Sequence, residues 1–295
     1  MPTFIKTGFW EKVAKGYKGW LNLDDLIHSI ANTSSSSSNF PTVQKETEVF
    51  NDVTLAGIDI PTYTSIYSTS FLFPNLTNVI DGINISSNNS DNFQLLDFPN
   101  LETINGSFYM DTSSLRVLNV PKLSFIKNAF QVSNNYVMSA LALSSLITLG
   151  DDPYSDAFRI ESCSDIVTIN LSNLTTVIGL ININDLQSLT TLNTSSLESV
   201  RGSIIITYCP NLNTINLPNL NTFLPPSAPT FDVGYNGLTE TCINALLAKL
   251  VEIATVYITV DWIIKMEGGT NAAPSGQGIL DVATLESKGC TVTTN

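Results

Sequence analysis

The chain has 295 residues, long enough to hold a large core, and a formal net charge of −13, with 43% apolar and only 13% charged residues. This balance excludes wrapping of nucleic acid, which needs clustered Lys and Arg to neutralise phosphates, and sets the chain against anionic membranes. Asn, Ser and Thr must supply most of the polar surface, as suits an extracellular-style β protein.

The first stretch of chain is chemically distinct. Lys6, Lys12, Lys15 and Lys18 are four of the thirteen basic residues, interleaved with Phe4, Phe9, Trp10 and Tyr17, with Trp20 just beyond. Residues 19–295 then hold nine basic and twenty-five acidic residues, a balance of −16. Residues 1–30 could form a first cap of the body that follows, or a docking peptide. The second reading is preferred, because large aromatics offer anchor area and lysines offer complementary charge to an acidic partner. It makes Phe9, Trp10, Lys12, Lys15, Tyr17, Lys18 and Trp20 the docking residues. The segment has neither the apolar run nor the small-residue cleavage site of a secretory signal. No stretch of about twenty apolar residues could span a bilayer, so membrane insertion is not expected. Residues 31–47, with the serine run Ser34 to Ser38, read as a flexible linker.

Residues 48–232 are repetitive. Leucines at 76, 101, 123, 146, 174, 197 and 220 recur at intervals of 25, 22, 23, 28, 23 and 23 residues. From Ile160, Ile183 and Ile206 three copies align without a gap, and Cys163, Leu186 and Cys209 share one column. No single copy can bury its apolar face, so the core exists only where neighbours stack. Apolar residues alternate with period two, as in Ile181/Ile183 and Phe108/Met110, which predicts short strands. Gly82, Gly106, Gly179 and Gly202 precede the alternating segments and mark one corner of each coil, where backbones approach closely. Pro74, Pro99, Pro121 and Pro218 mark a second corner, since proline cannot donate to a ladder. The 28-residue interval is attributed to an inserted loop, Asp151-Asp152-Pro153-Tyr154-Ser155. The expected fold is mainly β: a parallel β-solenoid of leucine-rich-type coils of about 23 residues, with an N-terminal anchor peptide and a C-terminal α/β capping module.

The succession Leu197-x-x-Val200-x-Gly202-x-Ile204-x-Ile206, followed by Cys209, Leu212 and Leu-Pro-x-Leu ending at Leu220, resembles the receptor L-domain branch of the leucine-rich repeats. The resemblance covers roughly residues 55–224. It implies a binding or structural surface and leaves the partner open.

Residues 233–295 form the capping module. Thr239 can cap a helix that puts Ile243, Leu246, Leu247, Leu250 and Val251 on one face. A strand over Val256–Val260, a glycine-rich turn at 268–276, a second helix around Leu280–Ser287, a stop at Gly289 and a last strand over Cys290–Thr294 follow. The pattern N-x-L-T-x(3)-I-N-x-L-L, then GGTNAAPSGQG, then L-x-S-K-G-x-T-V resembles the tails of leucine-rich-repeat and fibre-like proteins from Bacteroidota and their tailed phages. The opening KTGFWEKxxKGYKGWLNLDDLI is likewise similar to structural proteins of such phages, as in head decoration or fibres.

Catalysis finds little support. His28 is the one histidine, so a Ser/His/Asp triad or a histidine-rich metal site has no basis. Asp24/Asp25 and Asp151/Asp152 read as solvated pairs, and the glycine-rich 268–278 segment lacks the Lys-Ser/Thr ending of a phosphate loop. No catalytic residue, cofactor or metal site is expected. Cys163 and Cys209 lie two coils apart and read as core thiols, while Cys242 and Cys290 sit in one module.

If Ile85, Met110, Val132, Ile160, Ile183 and Ile206 point inward, then Asn84, Tyr109, Gln131, Arg159, Asn182 and Ile205 form one outward row. Asp111, Ser133, Glu161, Asn184 and Thr207 form the next. This face is either plainly solvated or a shallow platform, with Tyr109 and Tyr208 near it, for a glycan or a protein partner. The functional expectation is a non-enzymatic virion surface protein of a tailed phage, assembled in the host cytoplasm. Residues 1–30 would dock on capsid or tail proteins, and symmetric platforms would make it a homo-oligomer, a trimer being one such state. The competing expectation is a bacterial cell-surface adhesin or cell-wall binding module. Neighbouring capsid or tail genes would favour the first, export genes the second.

Overall fold

The structure, a computed structural model, describes residues 20–22, 47–49, 54–60, 70–87, 94–112, 114–224, 229–257 and 260–295. Among them the chain is mainly β, with long parallel sheets and two helices.

The first ladder comprises β1 (Trp20–Asn22), β2 (Thr54–Ile60), β3 (Asn78–Ser87), β4 (Ser107–Thr112), β5 (Phe130–Ser133), β6 (Asp156–Glu161), β7 (Leu180–Asn184), β8 (Ile204–Thr207), β9 (Thr230–Asp232), β10 (Ile263–Lys265) and β11 (Thr291–Thr293). Each strand pairs in parallel with the next in this order. A second ladder of two-residue strands runs through Thr103–Ile104, Phe125–Ile126, Thr148–Leu149, Thr176–Val177, Ser199–Val200 and Thr222–Phe223. A third set of parallel strands lies at Thr47–Val49, Ser70–Leu72, Leu95–Asp97 and Val117–Asn119, and again at Ala140–Ala142, Thr168–Asn170 and Thr191–Asn193.

Register follows the leucine intervals read from the sequence. Thr148 pairs with Thr176 and Thr176 with Ser199, keeping step with Leu146, Leu174 and Leu197. Four of the five extra residues lie between Leu149 and β6, where residues 151–155 turn outward, and the fifth is taken up inside β6 by a bulge between Asp156 and Phe158. Since one residue of slip would turn every inward side chain outward, the bulge keeps Phe158 and Ile160 in the core.

Alternation gives strands β4 to β10 a buried edge. Phe108, Phe130 and Phe158 are fully buried and stack successively, with centroids 4.9 and 5.8 Å apart. Phe73 and Phe98 do the same at 4.7 Å. Each ring would be exposed on an isolated copy. Burial is worth about 1.5–3 kcal/mol per large apolar side chain, so stability is shared between neighbours.

The corners have separate causes. At Gly82 a Cβ would come within 2.6 Å of the Ser107 carbonyl oxygen, and at Gly106 it would overlap the Asp81 carbonyl. The glycine corner is therefore a close backbone approach, and of the four expected glycines only Gly179 holds a positive φ, 138°. At the proline corner tight turns close by bonds such as Leu123 N–H to Val120 O at 3.2 Å and Leu220 N–H to Leu217 O at 3.3 Å. A third corner, not expected from glycine or proline, ends β5 to β9: Asn134, Ser162, Asp185, Tyr208 and Tyr235 all have φ between 53° and 58°.

At the C-terminal end α1 (Glu240–Ala254) follows β9 and α2 (Gln277–Ser287) follows β10. Thr239 caps α1 through its hydroxyl, which accepts from Cys242 N–H at 3.3 Å. Ile243, Leu246, Leu247 and Leu250 are buried beneath it. Gly289, with φ 102°, ends the second helical segment. Of the strand expected over Val256–Val260, the described residues Val256, Tyr257 and Val260 are not in a strand. Thr255 and Val256 instead close the end of α1 by bonding back to Val251 O and Ile253 O, and Ile258 and Thr259 lie outside the described residues. The alternating set at the sheet is Trp262, Ile264 and Met266, all buried, with Ile264 on β10 and the other two flanking it. The first ladder thus continues through this region, with helices where the earlier copies have strands of the other ladders.

Candidate recognition face

The register brings the predicted outward row together. Asn84 is opposite Tyr109, Tyr109 opposite Gln131, Gln131 opposite Arg159, Arg159 opposite Asn182, and Asn182 opposite Ile205. All six are half-buried, flanked by fully or nearly fully buried inward residues. Parallel strands about 4.8 Å apart make this a flat strip with one side chain per coil. The second row also aligns, from Asp111 through Ser133, Glu161 and Asn184 to Thr207, but Thr207 is buried, so that row ends one coil early as a surface.

In the middle of the strip one cation is held by two carboxylates. Arg159 Nη1 donates to Asp156 Oδ2 at 3.0 Å and its Nε to Glu161 Oε2 at 3.0 Å, with Nη2 also on Glu161. The hydrogen bonds to Glu161 raise the arginine pKa further above its ordinary value, against some desolvation. Gln131 Nε2 donates to the Asp156 carbonyl at 3.3 Å. The guanidinium is thus committed within the sheet and offers little free charge.

Tyr208 lies beyond the strip, at the third corner. It is 49% exposed and its ring stacks on that of Tyr235, 48% exposed, with centroids 4.7 Å apart and planes 6° from parallel. Tyr235 was not singled out from the sequence. Its signal was present in register: Phe231 and Val233 occupy the inward places of Ile204 and Ile206, which puts Tyr235 where Tyr208 stands.

Beside this corner runs a buried column, Asn135, Cys163, Leu186, Cys209 and Asn236, each 0% exposed. Asn236 Nδ2 donates to Ile206 O at 2.6 Å and Val233 O at 2.9 Å, while its Oδ1 accepts from Cys209 N–H at 2.9 Å. Asn135 Nδ2 donates to Leu115 O at 2.9 Å and its Oδ1 accepts from Met138 N–H at 2.8 Å. The cysteines of the column are free thiols, with Sγ 3.3 Å from Glu161 O for Cys163 and 3.4 Å from Thr207 O for Cys209. Desolvation by burial pushes them up to about 11 and about 12, so neither is a ready nucleophile. Cys242 and Cys290 are also free and buried.

Among the described residues no group of three or more His, Cys, Asp or Glu is arranged to hold a metal ion, and no helix is long and apolar enough to cross a membrane. Of the docking residues, Trp20 lies in β1, whose backbone pairs with β2, Trp20 opposite Gly57. Phe9, Trp10, Lys12, Lys15, Tyr17 and Lys18 lie outside the described residues, as do Asp24, Asp25 and His28. No family model matches the chain, and no curated protein or solved structure is significantly similar to it.

Proposed function

We propose that the chain is a non-enzymatic structural protein of a tailed-phage virion, in head decoration or a fibre. In this reading it is a parallel β-solenoid of leucine-rich-type coils of about 23 residues, tied to the capsid or tail at its N-terminal end. Its outer faces meet a host surface protein or glycan, and the α1–α2 region covers the far end of the stack.

Three features support the solenoid. Ladder partners keep step with the leucine spacing through the 28-residue copy. Phe231-x-Val233-x-x-Asn236-x-Leu238 has the form L-x-L-x-x-N-x-L, and Cys163 and Cys209 stand where that asparagine does. The buried apolar face of α1 suits a cap, which repeat proteins need for solubility.

The observation that carries the virion reading is the break in composition ahead of β1. Four lysines and four large aromatics precede a body whose balance is −16. Such a segment matches an acidic platform in charge and offers ring area to bury there. Since β1 belongs to the sheet, the docking segment is residues 1–19. Deleting them should leave the far-ultraviolet spectrum and melting of the rest unchanged and remove the protein from purified particles. Truncated protein on particles at normal copy number would refute the docking role.

A further inference from the structure

We infer that the Tyr208 corner is a carbohydrate subsite, in which a neutral hexopyranose ring lies on the free face of Tyr208 and its hydroxyls reach Asp185. This rests on the display reading above and adds to it a place and a ligand class.

The stacking order leaves one aromatic face open. A Cβ on Gly268 would stand 2.8–3.0 Å from three carbons of the Tyr235 ring, so the Gly268 backbone covers the outer face of Tyr235. The inner face of Tyr235 is covered by Tyr208. On the other side of Tyr208 the same corner position, one coil back, is Asp185, whose N–H bonds to Thr207 O at 3.2 Å. Coils about 4.8 Å apart would seat a third ring there, but a carboxylate is too short to cover the tyrosine. At that position, then, Tyr208 is neighboured by a carboxylate at the rim and not by a third ring.

The chemistry of that space is specific. Asp185 Oδ1 accepts from Gln187 Nε2 at 2.7 Å, which orients the carboxylate. Among the described residues its Oδ2 takes no hydrogen bond, so it is available to accept from hydroxyl groups. An apolar C–H face against an aromatic ring, with a carboxylate at the rim, is what a pyranose ring satisfies. Asp185 and the net charge of −13 disfavour anionic sugars.

The test uses the full chain titrated with neutral oligosaccharides (cello-, malto-, laminari-, manno- and xylo-hexaose) by saturation-transfer NMR and calorimetry. At least one hexaose should bind, with tyrosine ring protons perturbed. Tyr208→Ala should weaken that binding at least about tenfold, Tyr208→Phe less than about threefold, and Asp185→Asn several-fold, all with unchanged melting. Binding indifferent to Tyr208→Ala would remove the subsite, and no binding to any of the five would remove the ligand class. If Tyr208→Ala abolished adsorption to host cells while no sugar bound, the occupant would be a protein and the inference overturned. Sugar binding by a protein absent from particles would sink the virion reading alone, and particles carrying a protein blind to sugars would sink this inference alone.

Discussion

Replacing Asn236 by alanine removes one side chain that bonds three backbone groups on two neighbouring coils: the carbonyls of Ile206 and Val233 and the N–H of Cys209. The residue is 0% exposed, so water does not reach these groups without opening the corner. An orphaned buried backbone group costs about 1–3 kcal/mol. The Val233 carbonyl still accepts from Asn271 Nδ2 at 2.8 Å and is not orphaned; the Ile206 carbonyl keeps a second lone pair for other donors, which puts it at the low end, and the Cys209 N–H has no such reserve. The loss should therefore be about 2–4 kcal/mol, a large part of the stability of a typical domain. Urea unfolding followed by circular dichroism should show the midpoint falling with the slope unchanged, and hydrogen exchange should show the Cys209 amide among the most accelerated. A loss below about 1 kcal/mol, or a Cys209 amide that exchanges as in the parent, would mean that the column of Asn135, Cys163, Leu186, Cys209 and Asn236 does not hold the third corner.

Gly106→Ala should cost more than about 3 kcal/mol or prevent folding, because the new Cβ overlaps the Asp81 carbonyl on the neighbouring coil; a melting temperature within a few degrees of the parent would contradict the close approach. The buried thiols should resist an aromatic disulfide reagent at pH 8 until the chain is unfolded, and prompt native labelling of Cys163 or Cys209 would contradict their burial. Burial favours their neutral form, with folded pKa values of about 11 and about 12 against the ordinary 9.0. Their contribution to stability is therefore whole below pH 9.0 and is lost as pH rises through those values, because the unfolded chain ionises first. Substituting valine for both should flatten this alkaline loss.

The repeat and the outward row were legible because a period of two and a fixed offset leave no freedom in which residues share a face. Gln131, Arg159 and Asn182 could be placed opposite one another before any coordinate was known. The third corner was not legible, since the left-handed positions are filled by Asn134, Ser162, Asp185, Tyr208 and Tyr235, residues that ordinarily avoid or only tolerate that conformation. Backbone bonding across coils selects it there, as Ser162 N–H bonds to Asn184 O and Asp185 N–H to Thr207 O. The displacement of one expected strand has a different origin. Val256–Val260 alternates as well as Trp262–Met266 does, and what decides between them is the turn that ends α1, a tertiary choice that short apolar patterns do not carry. The place of Trp20 in β1 shows the same limit: aromatic and lysine content marked residues 1–30 as different, but composition does not say where the sheet begins.

The central claim is a column held by one end, and electron cryomicroscopy of purified particles tests it most directly. The account predicts density for stacked parallel strands about 4.8 Å apart, joined to the capsid or tail at the β1 end, with α1, α2 and β11 at the free end. Attachment through the β11 end, or particles that lack the protein altogether, would contradict it.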